Sequence, residues 1–226
     1  MKIYDRSGFP NPIRIRVVVA QKGLESEIEW IPVDLIGAEH KHPAFLAKNP
    51  SGVVPVLELE DGTCISESTA ITEYLDNLDG NPVLTGRTPL EMATIHMMQH
   101  RAEAYVIDPV GNYFHYGTPG WGDVLPAYKA PEWKGRTEWA GREAAKAQEG
   151  LRYFNKVLRT RPYVAGDNFT MPDITLFAGI YFAEATQLMV RGLRALDEWH
   201  RRVSELPAVK HRTGQELLPE DLARIK

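Results

Sequence analysis

"SGVVPVLELEDGTCISESTAITEYL", residues 51 to 75, decides the fold. Two β-rich runs flank Glu60-Asp61-Gly62. Asp-Gly is a pair that lets a chain reverse in a tight hairpin turn. The pattern then changes. Ile71, Tyr74, Leu75 and Leu78 recur at helical spacing, so a helix follows the hairpin directly.

Upstream, "KIYD" reads as a short first strand. Asn11-Pro12 reads as the N-cap and first residue of a helix through "IRIRVVVAQK", stopped by Gly23. "EIEWIPVDL" reads as a second strand and "HPAFLAKN" as a short helical stretch. The order is β-α-β-α-β-β-α, which suits a small mixed sheet with helices on its faces.

Downstream, "DGNPVLTGRTP" is rich in Gly, Pro and turn formers and reads as a linker. Beyond it strand signals vanish. One helical run opens at Thr88-Pro89 and extends to about Tyr116. Others cover about Thr137–Leu158, Pro172–Thr186 and Leu193–Glu205. Thr170 followed by Asp173 has capping-box spacing, with Asp in place of Glu. The polar tail "HRTGQELLPEDLARIK" reads as a surface segment with a final short helix. The expected division is residues 1–80, a linker at 81–88, and an all-helical domain at 89–226.

The 226 residues can bury a real core. A net charge of −4 provides no broad basic field, so nucleic acid is not an expected partner. No apolar run has membrane-spanning length, and the N-terminus carries no signal-peptide pattern. Cys64 is the only cysteine, which excludes an intrachain disulfide and fits a reducing cytoplasm. The seven histidines form no metal-binding motif.

The stretch quoted first, with the linker "LTGRTPLE" and "RPYVAGDNFTMPDITLFAG", resembles the cytosolic glutathione transferases over nearly the whole chain. "GAEHKHPAFLAKN" and "YFHYGTPG" resemble in particular a fungal and bacterial branch related to the yeast second glutathione transferase. That branch lacks the usual catalytic Ser, Tyr or Cys. Phe9, directly before Pro10-Asn11-Pro12, fits that departure.

The resemblance implies a thioredoxin-like α/β domain followed by an all-α domain, and a homodimer. It implies conjugation of glutathione, as co-substrate and without metal or other cofactor, to a small hydrophobic electrophile. Two rival readings share the fold: a non-catalytic glutathione-binding scaffold, and a specialised lyase or dehalogenase. The resemblance also implies a cis Val54–Pro55 bond, with the Val54 backbone pairing to glutathione as an added strand. "SES", Ser66 to Ser68, lies where a strand meets a helix. Helix N-termini bind carboxylates, Ser68 adds a hydroxyl, and Glu67 can meet the γ-glutamyl ammonium. His40, ahead of Lys41, is the candidate for the glycyl carboxylate.

With Phe9 as a pocket wall, the helix start at Asn11–Ile13 is the expected thiolate stabiliser. A water held chiefly by Tyr105 and Asn112, with His115 behind them, is the expected proton relay. Ser7 is the competing direct donor. Tyr105, Asn112, His115 and Tyr116 recur at helical spacing, so one face would hold the electrophile, with Tyr116 in the pocket and Trp121 nearby. Cys64 is expected to pack as a small hydrophobe.

Overall fold

The computed structural model describes residues 1–118 and 136–221. Trp121 and the end of the expected final helix fall outside those residues. The first half is a thioredoxin-like unit: β1 (Lys2–Asp5), α1 (Pro10–Lys22), β2 (Glu29–Pro32), α2 (Pro43–Leu46), β3 (Val56–Glu58), β4 (Cys64–Ser66) and α3 (Ser68–Asn77). The sheet order is β2-β1-β3-β4. β1 and β2 are parallel, whereas β3 is antiparallel to both β1 and β4. The Asp-Gly hairpin forms as read, with Gly62 at φ +85°, where a side chain would be strained.

α1 corrects the expected start. It opens at Pro10, not Pro12, and Phe9 occupies the N-cap place without a side-chain cap. Pro10 presets the helical φ where no N–H is needed. Gly23 ends the helix in the left-handed region at φ +65°.

The linker is held by one carboxylate. Buried Asp76 accepts from the Leu84 and Thr85 N–H groups, both at 2.9 Å, and from the Thr85 hydroxyl at 2.8 Å. The second half contains α4 (Pro89–Ala102), a π-helical turn (Glu103–Ile107), α5 (Asp108–Gly117), α6 (Thr137–Val157), α7 (Met171–Ala185), α8 (Arg194–Ser204) and α9 (Pro207–Lys210). Thr88 and Glu91 close a capping box at α4. The single helical run expected to Tyr116 is thus interrupted. The π turn falls just before Pro109, which lacks the N–H that would continue an α-helical ladder.

A shared apolar core joins the halves. Ile13, Val17 and Ile71 belong to the same buried cluster as Leu151, Phe154 and Trp199. From Met171 to Ile180, α7 is buried throughout, as its nearly apolar sequence required. A polar knot reinforces the seam: Arg14 of α1 pairs with Glu103 at 2.7 Å, and Thr69 and Gln99 donate to the same oxygen. Burial alone would raise the Glu103 carboxyl, but Arg14 and these hydrogen bonds outweigh it and hold it below its usual range.

The described part of the tail is mostly exposed, as expected, but it is anchored inward at two places. Arg212 and Asp221 are buried. Arg6 donates to both Asp221 oxygens, at 2.7 and 2.6 Å. The Gly8 N–H donates to the Gly214 carbonyl at 3.1 Å. The tail therefore returns to the turn between β1 and α1.

Candidate functional site

Strand register decides where the site can form. Tyr4 of β1 pairs with Val56, and Val56 pairs with Ser66. The turn after β1, the Val54–Pro55 segment before β3 and the Glu67–Ser68 corner after β4 therefore meet at one end of the sheet. β2 runs parallel to β1, with Pro32 opposite Asp5, so the segment leading to His40 leaves from the same end. Loops at that end can converge on one ligand, while the sheet holds their bases rigid.

The α1 start offers an unusually sparse set of donors. Pro10 and Pro12 have no N–H. The Ile13 N–H donates to the Phe9 carbonyl at 3.0 Å. Of the two backbone donors expected here, Asn11 and Ile13, the helix consumes Ile13 and supplies no partner to Asn11. Phe9, Asn11 and Pro12 line a cavity of about 640 Å³. Ser7, the rival donor, is not among the lining residues.

The neighbouring corner has the form of an anion site. Glu67 sits at the N-cap of α3 with φ +68° and ψ 120°. A non-glycine residue held there stores backbone strain, a condition that collects at functional sites. The helix begins at Ser68, so the N–H groups of its first turn point out of the N-terminus. Glu67 is exposed and Ser68 buried. The Val54–Pro55 bond is cis, and Val54 lines the cavity.

His40 lines the cavity. Its side chain is fully buried, and burial, followed by the nearby Lys41 charge, pushes its pKa down to about 4. The imidazole is therefore neutral at pH 7. Lys41 is the cation at this edge, its Nζ donating to the Gly52 carbonyl at 2.7 Å.

The facing wall comes from the second half. Asp108, Asn112 and His115 line the cavity. They sit at intervals of four and three residues on α5, so they share a face. The Asn112 amide donates to Glu143 of α6 at 2.7 Å, which orients it. Phe114, Tyr181 and Phe182 add aromatic surface.

Tyr105 and Tyr116 do not belong to this wall. Tyr105 lies edge-on to Tyr153 of α6, with ring centroids 5.6 Å apart. Tyr116 packs near Trp139 of α6 at 5.4 Å. The expected common face assumed an unbroken α period. The π turn at Glu103–Ile107 inserts a wider turn and rotates Tyr105 out of phase with Asn112. Tyr116 follows His115 directly and so points about a quarter-turn away.

Among the wall residues that escaped the sequence reading are Tyr181, Phe182 and Leu217. For the first two a signal existed. α7 is nearly apolar up to Ile180, but Glu184 in its last turn and Thr186 just past its end are polar, so that turn had to leave the core. Leu217 carried none, because it sits in a polar tail. Cys64 is half-buried, outside the cavity lining, and burial pushes its thiol up, which suits packing rather than nucleophilic chemistry.

Two family models match the chain: "Glutathione S-transferase, N-terminal domain" over residues 10–78 and "Glutathione S-transferase, C-terminal domain" over residues 122–207. Glutathione S-transferase 2 of Saccharomyces cerevisiae is 50% identical over 211 residues, covering 93% of this chain and 88% of the relative. The crystal structure of Gtt2 from that yeast superposes with a TM-score of 0.88 at 50% identity, covering 93% of this chain and 99% of the other. A glutathione S-transferase domain-containing protein from Marinobacter aquaeolei superposes with a TM-score of 0.87 at 44% identity, over 92% of this chain and all of the other.

Proposed function

The chain belongs to the glutathione S-transferase family, and on that premise we propose how its residues activate and conjugate the glutathione thiol. The observation that carries the reading is the α1 start. One backbone donor, Asn11, remains there beside a cavity whose opposite wall holds Asn112 and His115.

A free thiol has a pKa of about 8.5, and lowering it by two units needs about 2.7 kcal/mol of preference for the thiolate. The positive end of a helix supplies about 0.3–1 kcal/mol, up to about 2 when partly buried. A hydrogen bond to a charged group supplies about 1.5–3 kcal/mol. Together these reach the required size without a side-chain hydroxyl. Phe9 walls the sulfur from solvent. Asn112 and His115 hold a water that takes the thiol proton, passes it to bulk solvent and then donates a hydrogen bond to the thiolate it leaves behind.

Glutathione lies along the sheet end. Its cysteinyl backbone pairs with Val54 and its γ-glutamyl carboxylate meets the α3 N-terminus and Ser68. Glu67 takes the ammonium, and Lys41 the glycyl carboxylate. The aromatic wall of Phe114, Tyr181 and Phe182 receives a small hydrophobic electrophile. Residues 1–80 act as the glutathione domain and 89–226 as the electrophile domain, joined by 81–88. We place the enzyme in the cytoplasm as a homodimer with a detoxifying role. Among the described residues no helix is long and apolar enough to cross a membrane.

The test is thiolate formation, read by ultraviolet absorbance against pH in the enzyme–glutathione complex. Asn112→Ala and His115→Ala should each raise the apparent thiol pKa by about half a unit or more, a loss of roughly 0.7 kcal/mol. Tyr105→Phe and Ser7→Ala should leave it in place. A return toward the free value in Ser7→Ala alone would make Ser7 the activating group.

A further inference from the structure

The tail after α9 is anchored at three points around the β1–α1 turn. The Arg6 guanidinium, 4% exposed, forms a two-pronged pair with Asp221, which is fully buried. Arg16 holds Asp5 with two hydrogen bonds and donates a third to the Thr213 hydroxyl at 2.8 Å. The Gly8 N–H takes the Gly214 carbonyl.

The fit between tail and turn is close. A Cβ on Gly8 would lie 2.7 Å from the Leu217 nitrogen, and one on Gly214 would lie 2.4 Å from the Arg16 guanidinium. Both glycines also have positive φ, +78° and +66°. At Gly8 backbone therefore lies on backbone, and no side chain could be inserted there; at Gly214 one would have to displace the Arg16 guanidinium. Between the anchors at Gly214 and Asp221, the half-buried Leu217 side chain joins the cavity wall formed by Phe9 and Tyr181.

A buried ion pair is a poor source of stability but a good device for fixing one arrangement. Here the arrangement it fixes is a piece of the cavity. We propose that Leu217 is a specificity-determining residue that contacts the electrophile portion of the ligand, and that Arg6 and Asp221 are its positioning pair. The tail is thereby a wall of the site, supplied from the far end of the chain. Leu217 gives that wall an aliphatic surface. It selects for S-substituents long enough to reach it, such as alkyl chains, over compact ones. This inference rests on the transferase reading above.

The experiment compares S-methylglutathione with S-hexylglutathione by calorimetry, using wild type, Leu217→Ala and Asp221→Asn. Both ligands carry the same glutathione portion, and only the longer chain can reach Leu217. Wild type should prefer the hexyl conjugate. Leu217→Ala should lose about three- to tenfold of that preference, as expected from one or two lost methylene contacts, with S-methyl affinity unchanged. Asp221→Asn should lose a similar share by releasing the tail, and Asp221→Glu should restore part of it. A merely structural role for the pair would lower melting temperature without changing the hexyl-to-methyl ratio. If wild type binds both conjugates and the ratio survives both Leu217→Ala and Asp221→Asn, the proposal is overturned while the transferase reading stands. If wild type binds neither, both fall.

Discussion

The indole N–H of Trp199 donates to the Asp173 carboxylate at 2.9 Å, joining α8 to the first turn of α7, with both side chains fully buried. The same carboxylate accepts from the Val164 N–H at 2.9 Å and from the Thr170 N–H at 3.1 Å. Capping spacing identified Asp173 in the sequence, but the cap is only part of its role. It gathers a loop, a helix start and a second helix around one buried acceptor.

Thr170→Ala and Asp173→Ala should therefore differ. The threonine change removes one hydroxyl near a helix start and should cost about 0.5–2 kcal/mol. The aspartate change strands several buried donors, each worth about 1–3 kcal/mol when left unpaired. Denaturant midpoints should fall further for Asp173→Ala. Equal midpoints in the two variants would reduce Asp173 to a simple capping partner.

The single donor at the α1 start can be removed with little change of shape. Asn11→Pro deletes the backbone N–H at a first-turn position where proline is tolerated. Asn11→Ala keeps that N–H and loses only the side chain, which accepts from Arg14 at 3.3 Å. The proline variant should raise the bound thiol pKa by about one unit, equivalent to about 1.4 kcal/mol. The alanine variant should not. Equal pKa values across the three proteins, with the proline variant folded by circular dichroism, would remove the helix start from the mechanism.

Glu67 tests the opposite end of glutathione. Glu67→Ala removes a charged partner from an exposed N-cap position that makes no side-chain cap. Glutathione affinity should drop roughly ten- to a hundredfold, the equivalent of about 1.5–3 kcal/mol. Thermal stability should change little. Unchanged affinity by calorimetry would move the γ-glutamyl group elsewhere.

His40 should govern part of the acid sensitivity. Its ordinary value of 6.5 falls to about 4 in the folded chain, chiefly through burial. The unfolded imidazole gains its proton near pH 6.5, and the folded one resists until about pH 4. Between those values the unfolded state binds more protons, so stability is complete above pH 6.5 and declines as pH falls toward 4. The shift corresponds to roughly 3 kcal/mol. His40→Gln cannot take up that proton, so its urea stability should depend less on pH across this window. Parallel curves for the two proteins would show that His40 contributes no such dependence.

Local pattern was enough for the elements. The Asp-Gly hairpin, the Gly23 stop and the bounds of α6, α7 and α8 each depend on residues within a few positions of one another, so sequence alone determined them. It also determined that Phe9, and not a hydroxyl or thiol residue, directly precedes α1, since this is a matter of residue identity. The convergence of Val54, Glu67 and the α1 start followed from a hairpin joined to a βα unit, which leaves few ways to arrange the sheet.

Tertiary structure decided what depends on helical phase or on distant partners. One π turn at Glu103–Ile107 sent Tyr105 toward α6 and left Asn112 and His115 facing the cavity; Pro109 marks a break in the helix but not the phase that follows it. Burial takes His40 out of solvent and keeps it neutral, which its place in a loop beside Lys41 did not mark. The Arg6–Asp221 pair spans 215 positions, and a charge in a polar tail names no partner. Only the folded chain brings those two ends together, because burying Arg6 against Asp221 depends on the tail packing on the β1–α1 turn, which no local pattern encodes.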